Sequence, residues 1–296
     1  MCGMDPSAWK AAIRAENIEV VRAHLDADPE ATGGYLPVER DWGEELWLPL
    51  HLAAEVGGAG GRAAVELLLE RGAKPDSRTR FRTPMHARQT ALHLAAAGAD
   101  AAMCETLLDA GADIDALDAR LDSPMHHLLL GAAAGESAAA FDAVKNAYQT
   151  LLERGAELGL RNAEGRPPWH SFMAALVDHQ ALSEQMNDAR LQGGAGVGNT
   201  GEVKSQIYLC ADLIETCVDL HEDGKSLMNL ELICPREPLG WTLLHRVVAL
   251  GDAGAPLAVT LVQQGVENDA APPEGLSAVQ LAEARGCEAL VEVMRG

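Results

Sequence analysis

Ten histidines and six cysteines are the residues of this 296-residue chain that could ligate a metal or act as nucleophiles. Structural zinc sites gather imidazole or thiolate at short, regular spacings. Neither H-x-x-x-H nor C-x-x-C occurs here. His126-His127 with Asp178-His179 is the grouping that could converge on an ion, and without such spacing no metal and no cofactor are expected. Gly196-x-Gly198-x-x-Gly201 spells a dinucleotide-binding fingerprint, but no strand pattern precedes it. A flexible linker is the expectation there. Gly224-Lys225-Ser226 looks like the end of a phosphate loop, yet Asp219 stands where that loop requires glycine. No G-x-S-x-G elbow and no legible nucleophile–base pair is present, so no catalytic residue is assigned.

What positions the histidines is a repeat. His51, His93, His126, His170 and His245 each close a short opening: Leu48-Pro49-Leu50, Thr90-Ala91-Leu92, Ser123-Pro124-Met125, Pro167-Pro168-Trp169 and Thr242-Leu243-Leu244. Gln280 takes the same place near the end of the chain. Positions 51, 93, 126, 170, 245 and 280 are separated by 42, 33, 44, 75 and 35 residues. Since none is below 33, the longer gaps read as insertions into a common unit. Gly111 to His126, Gly155 to His170 and Gly265 to Gln280 are each 15 residues.

The most complete copy is Gln89–Asp122. Thr90 is placed to cap a first helix by accepting a backbone N–H. Met103, Cys104, Leu107 and Leu108 form one apolar face of a second, and Gly111 supplies a left-handed helix end. This pattern resembles the ankyrin-repeat family: two helices and a hairpin-like finger per repeat. The resemblance implies an all-α ankyrin-repeat solenoid of stacked helix pairs, with about seven repeats including degenerate capping repeats. One domain, 1–296, is expected, interrupted by a flexible Gly-rich insertion around 182–204. Ser7–Asp28 and Leu276–Arg295 read as the caps, and Gln206–Leu220 as the fifth repeat's second helix. The resemblance also implies that the repeat histidines hydrogen-bond within and between repeats.

Composition narrows the partner. Hydrophobic residues make up 48% of the chain and aromatics 4%, which suits helices packed through Ala and Leu. A net charge of −21 disfavours nucleic acid and anionic membranes and favours a basic protein partner. Scattered cysteines fit a reduced, cytoplasmic setting. The N-terminal stretch shows no secretory signal, and no run is long and apolar enough to span a membrane.

Four departures go beyond what repeats need. Asp28 to His51 encloses a long first finger with Tyr35, Trp42 and Trp47 among acids. The second finger, before His93, carries Arg78, Arg80, Phe81, Arg82 and Arg88, with a decoy opening at Thr83-Pro84-Met85-His86. Gly131–Ser137 reads as a widened inter-helix turn, and the Gly-rich insertion is the fourth. Trp42, Trp47, Arg78, Arg80, Phe81, Arg82 and Arg88 are the expected partner-binding residues, because aromatics and arginines anchor interfaces. The two fingers could equally brace each other. The expectation is a monomeric, non-catalytic module that captures a protein partner on its fingers and concave helical face, as an inhibitor or immunity-type protein would. The alternatives are an enzyme with its active site under the 182–204 insertion, and a general assembly scaffold.

Overall fold

The computed structural model describes residues 6–40, 43–81, 88–134, 138–175, 243–263 and 275–296. The Gly-rich insertion, Gln206–Leu220, the decoy opening and Asp178-His179 lie outside them. The chain divides into two compact units: Met1–Gly131 with Asn146–Glu157, and Ala132–Lys145 with Leu158–Gly296.

In the first unit, helix pairs follow one another: α1 (Pro6–Arg14) and α2 (Ile18–Ala27), α3 (Pro49–Val56) and α4 (Gly58–Glu70), α5 (Ala91–Ala97) and α6 (Ala101–Asp109). First helices pack on first helices (α1 on α3, α3 on α5) and second on second (α2 on α4, α4 on α6). The core is correspondingly small-residue and aliphatic: Leu52, Ala53, Leu92, Ala95, Ala96, Met103, Cys104 and Leu107 are all buried. Gly72 and Gly111 both have φ +86° where α4 and α6 end, the left-handed termination expected of Gly111.

Helix α7 (Pro124–Ala134) corrects one expectation, because Gly131 lies inside it and begins no turn. A Cβ at Gly131 would stand 2.7 Å from the Ala97 carbonyl oxygen, so glycine is what lets α7 approach the end of α5. Helix α8 (Ala138–Glu153) follows.

The fingers bring strands into a mostly helical chain. β1 (Leu36–Arg40) and β2 (Gly43–Trp47) form an antiparallel hairpin, Leu36 facing Trp47 and Arg40 facing Gly43. β3 (Arg80–Phe81), from the second finger, pairs antiparallel with β2, giving the order β1-β2-β3.

Acids join successive repeats. Asp76 Oδ1 accepts the N–H of Asp113 at 2.8 Å, and Asp115 Oδ1 that of Glu157 at 3.0 Å. Asp100 caps α6 through the N–H of Met103 and reaches back to the N–H of Gly58 at 2.8 Å. Arg71–Asp26 and Arg154–Asp109 add ion pairs of 2.7 and 2.5 Å. Part of the negative charge is therefore structural.

In the second unit, Ala278–Arg285 and Glu288–Arg295 form the C-terminal helix pair, separated by left-handed Gly286. Asp252 Oδ1 accepts the Ala289 N–H at 3.1 Å, the same carboxylate-to-backbone device. Residues 168–175 are helical, with Trp169 edge-on to Phe172.

Candidate functional site

His51 and His93 each hold a helix start to the following finger. His51 Nδ1 accepts the Leu48 N–H at 3.1 Å and Nε2 donates to the Ser77 carbonyl at 3.0 Å. His93 Nδ1 accepts the Thr90 N–H at 3.1 Å, lies 2.8 Å from the Thr90 hydroxyl, and Nε2 donates to the Asp122 carbonyl. His126 Nδ1 accepts from Ser123, and His245 Nε2 donates to the Leu276 carbonyl. Gln280 Oε1 accepts the Ser277 N–H at 2.9 Å in place of an imidazole. The histidine supplies the reciprocal half of the cap, accepting the N–H of the residue before the helix whether that is Leu48, Thr90 or Ser123.

These bonds require a neutral ring. Burial lowers the His51 pKa to about 4, the Ser77 carbonyl opposing only part of that shift. Burial, then the neighbouring His127, lowers His93 to about 3. An unfolded histidine takes its proton near pH 6.5. Above that pH His51 leaves stability unchanged; below it the unfolded chain binds the extra proton. Stability should then fall by about 1.4 kcal/mol per pH unit from this residue until the folded ring titrates near pH 4. His51→Gln, the residue the chain itself uses at 280, should flatten this limb in urea titrations across that range; an unchanged slope would contradict it.

Among the described residues, Cys104 and Cys287 are the free cysteines, and both are buried. Cys104 is buried, and its thiol is pushed up to about 12 by burial and then by Asp100.

The two enlarged fingers meet in the three-stranded sheet, and their predicted contact residues separate into different roles. Trp47 is only 1% exposed; its Nε1–H donates to Glu45 Oε2, and the Lys10 ammonium lies 5.8 Å from its ring centre. Arg78 is half-buried and spans fingers, its Nη1 donating to the carbonyls of Arg88 and Leu117. Tyr35 donates its hydroxyl proton to the Arg78 carbonyl at 3.1 Å. Arg80 is exposed, with its guanidinium 4.2 Å from the Tyr35 ring centre. Arg88 is also exposed, at φ +81°, where its N–H bonds the Thr79 carbonyl and closes the second finger. Phe81 belongs to β3 by its backbone; Trp42 and Arg82 lie outside the described residues.

The structure thus brings Arg80 and Arg88 to the surface of one finger pair and puts Trp47 beneath it. Sequence reasoning missed Tyr35 as a partner of Arg80, although both residue types were visible. Their contact depends on a β2–β3 pairing that no local signal announces.

Residues 9–118 match the family model for ankyrin repeats, in 3 copies. That segment resembles ankyrin repeats, which generally mediate protein–protein interaction and are typically non-catalytic. No curated protein matches the chain. Among the described residues, no helix is long and apolar enough to cross a membrane.

Proposed function

We propose that this protein is a non-catalytic binding module that captures a protein partner on its paired fingers and the adjoining helical face. The observation that carries the proposal is the exposed Arg80 guanidinium, stacked on Tyr35 at the edge of the finger sheet. A stacked guanidinium has already lost much of its side-chain freedom, so less entropy is lost when a partner engages it. Arg88, whose N–H bonds the Thr79 carbonyl, lies beside it, and Arg82 is two residues after Arg80 in sequence.

The net charge of −21 supports a partner of opposite overall charge, as for an inhibitor or immunity-type protein holding a basic enzyme or toxin. Long-range attraction would accelerate encounter, and the finger residues would supply orientation and residence time.

The experiment compares wild type, Arg80→Ala and Arg88→Ala at native expression, identifying what co-purifies and then measuring its affinity with purified components. Arg80→Ala should weaken a stoichiometric complex by about 1–3 kcal/mol and leave the unfolding midpoint nearly unchanged. A partner held equally by all three proteins would overturn the finger site. Turnover of a substrate by the isolated protein would overturn the non-catalytic reading.

A further inference from the structure

Among the described residues, the turn of a finger and the helix after it share a polar contact that occurs in two chemical versions. In the second unit the side chains in contact, Asn162 and Ser171, are neutral. Asn162 Oδ1 accepts the N–H groups of Glu164 and Arg166, each at 3.0 Å, and its Nδ2 donates to Ser171 Oγ at 3.3 Å. The third finger of the first unit makes the same turn with ionisable groups. Asp118 Oδ1 accepts the N–H groups of Arg120 (2.7 Å) and Asp122 (3.0 Å), while Oδ2 faces His127 Nε2 at 3.1 Å. The registers coincide: 118 to 127 and 162 to 171 are both nine residues, and Asp122 stands where Arg166 does, four residues on. Asn, Arg and Ser suffice for the turn. Asp, Asp and His exceed what it needs.

The burial and spacing of these three side chains point the same way. The Asp118 and Asp122 side chains are 6% and 3% exposed, and one donor atom each from Asp118, Asp122 and His127 lies within 4.8 Å of the other two. Two carboxylates this close and this dry repel unless positive charge joins them. Arg120 approaches Asp122 from the solvent side, its Nε 3.6 Å from Oδ2 and its side chain 48% exposed.

We propose that Asp118, Asp122 and His127 form a binding site for one divalent transition-metal ion, with zinc as the type. One imidazole and two carboxylates are N/O donors suited to zinc, whereas calcium and magnesium seek more oxygens. With metal–ligand bonds of about 2.0–2.2 Å, neighbouring donors in a tetrahedron stand about 3.3–3.5 Å apart. The 3.1 Å between Oδ2 and Nε2 is near that, so the ion takes the place of the proton between them with little movement. Binding releases the Nε2 proton to solvent, and two carboxylates neutralise the dication. The Asp118 Oδ1 contacts act as the outer shell that fixes the ligand's orientation. His127, 16% exposed, gives the ion a path in, and the fourth position is left to water or to a donor from a bound protein. The ion would fasten the third finger, with half-exposed Leu121 at its tip, to α7.

The test uses the full-length protein, treated with chelator and titrated with Zn²⁺ by calorimetry, then with Co²⁺ for its absorption spectrum. Expected are one equivalent bound with proton release, a tetrahedral Co²⁺ spectrum without thiolate charge transfer, and a higher melting temperature with Zn²⁺. Asp122→Asn and His127→Gln should each weaken binding roughly tenfold or more. Asp118→Asn/Asp122→Arg/His127→Ser, which copies the neutral turn, should abolish binding while keeping the metal-free melting temperature. If His127→Gln fails to fold, Asp122→Asn decides, since its counterpart shows that no carboxylate is required there. Equal binding by wild type and the triple variant, a thiolate band, or no Zn²⁺ binding by wild type would each overturn the site.

Discussion

Trp47→Ala is expected to lower folding stability by about 3–5 kcal/mol, the largest single-residue effect in the finger region. The ring is buried at the end of β2, edge-on to His51 at 6.2 Å between ring centres, with the Lys10 ammonium on another side. Lys10 is itself paired with Glu55 of α3 at 2.5 Å, so the indole fills the space where α1, β2 and α3 meet. Truncation leaves a cavity that the His51 hydrogen bonds keep from collapsing, and it removes the indole donor from the buried Glu45 carboxylate. Urea unfolding of the variant measures the loss. Paired with the Arg80→Ala binding assay, it separates two roles in one finger pair: Trp47 should govern stability and Arg80 affinity. A stable Trp47→Ala protein with impaired binding would reverse that assignment and make Trp47 a contact residue.

Local chemistry explains which parts of this structure were legible in the sequence. The histidine openings and the glycines at 72 and 111 act within a few residues, so their spacing exposed the helix pairs. The first finger could be read as long, but Asp28 and Pro29 gave no hint that Leu36–Arg40 and Gly43–Trp47 would form strands. The pairing of β2 with Arg80–Phe81 joins residues 34 and 36 positions apart, and such register is set by tertiary packing. Burial of Trp47 follows from that packing, which is why an aromatic among acids read as an exposed anchor. Gly131 misled in the opposite direction: glycine commonly breaks helices, yet here it permits close approach to Ala97. His127 was visible, but its partners Asp118 and Asp122 meet it only when the finger folds back onto the start of α7. The acids at 76, 100, 115 and 252 looked like surface charge because a carboxylate's backbone partner in the next repeat leaves no mark on sequence spacing.

The second large effect is expected at Leu107, and Leu108 is its control. Both leucines occupy the apolar stripe of α6, and sequence periodicity gives no reason to rank them. The structure does: Leu107 is fully buried, whereas Leu108 is half-exposed. Helix α6 packs on α4, where the absence of a side chain at Gly61 lets Met103 come close. Leu107 lies one turn along from Met103 on that face, and its carbonyl accepts the Ala112 N–H that closes the helix end. Leu107→Ala should therefore cost about 2–5 kcal/mol, with Leu108→Ala costing clearly less because its site can fill with solvent. In a repeat array each unit is stabilised chiefly by its neighbours, so the cavity at 107 should also reduce hydrogen-exchange protection in α4. Denaturant midpoints for the two variants, with exchange measured across α4 and α6, provide the check. Equal midpoints would mean that α6 does not carry the interface between these repeats. A loss confined to α6 would mean that the repeats fold without the nearest-neighbour coupling their packing implies.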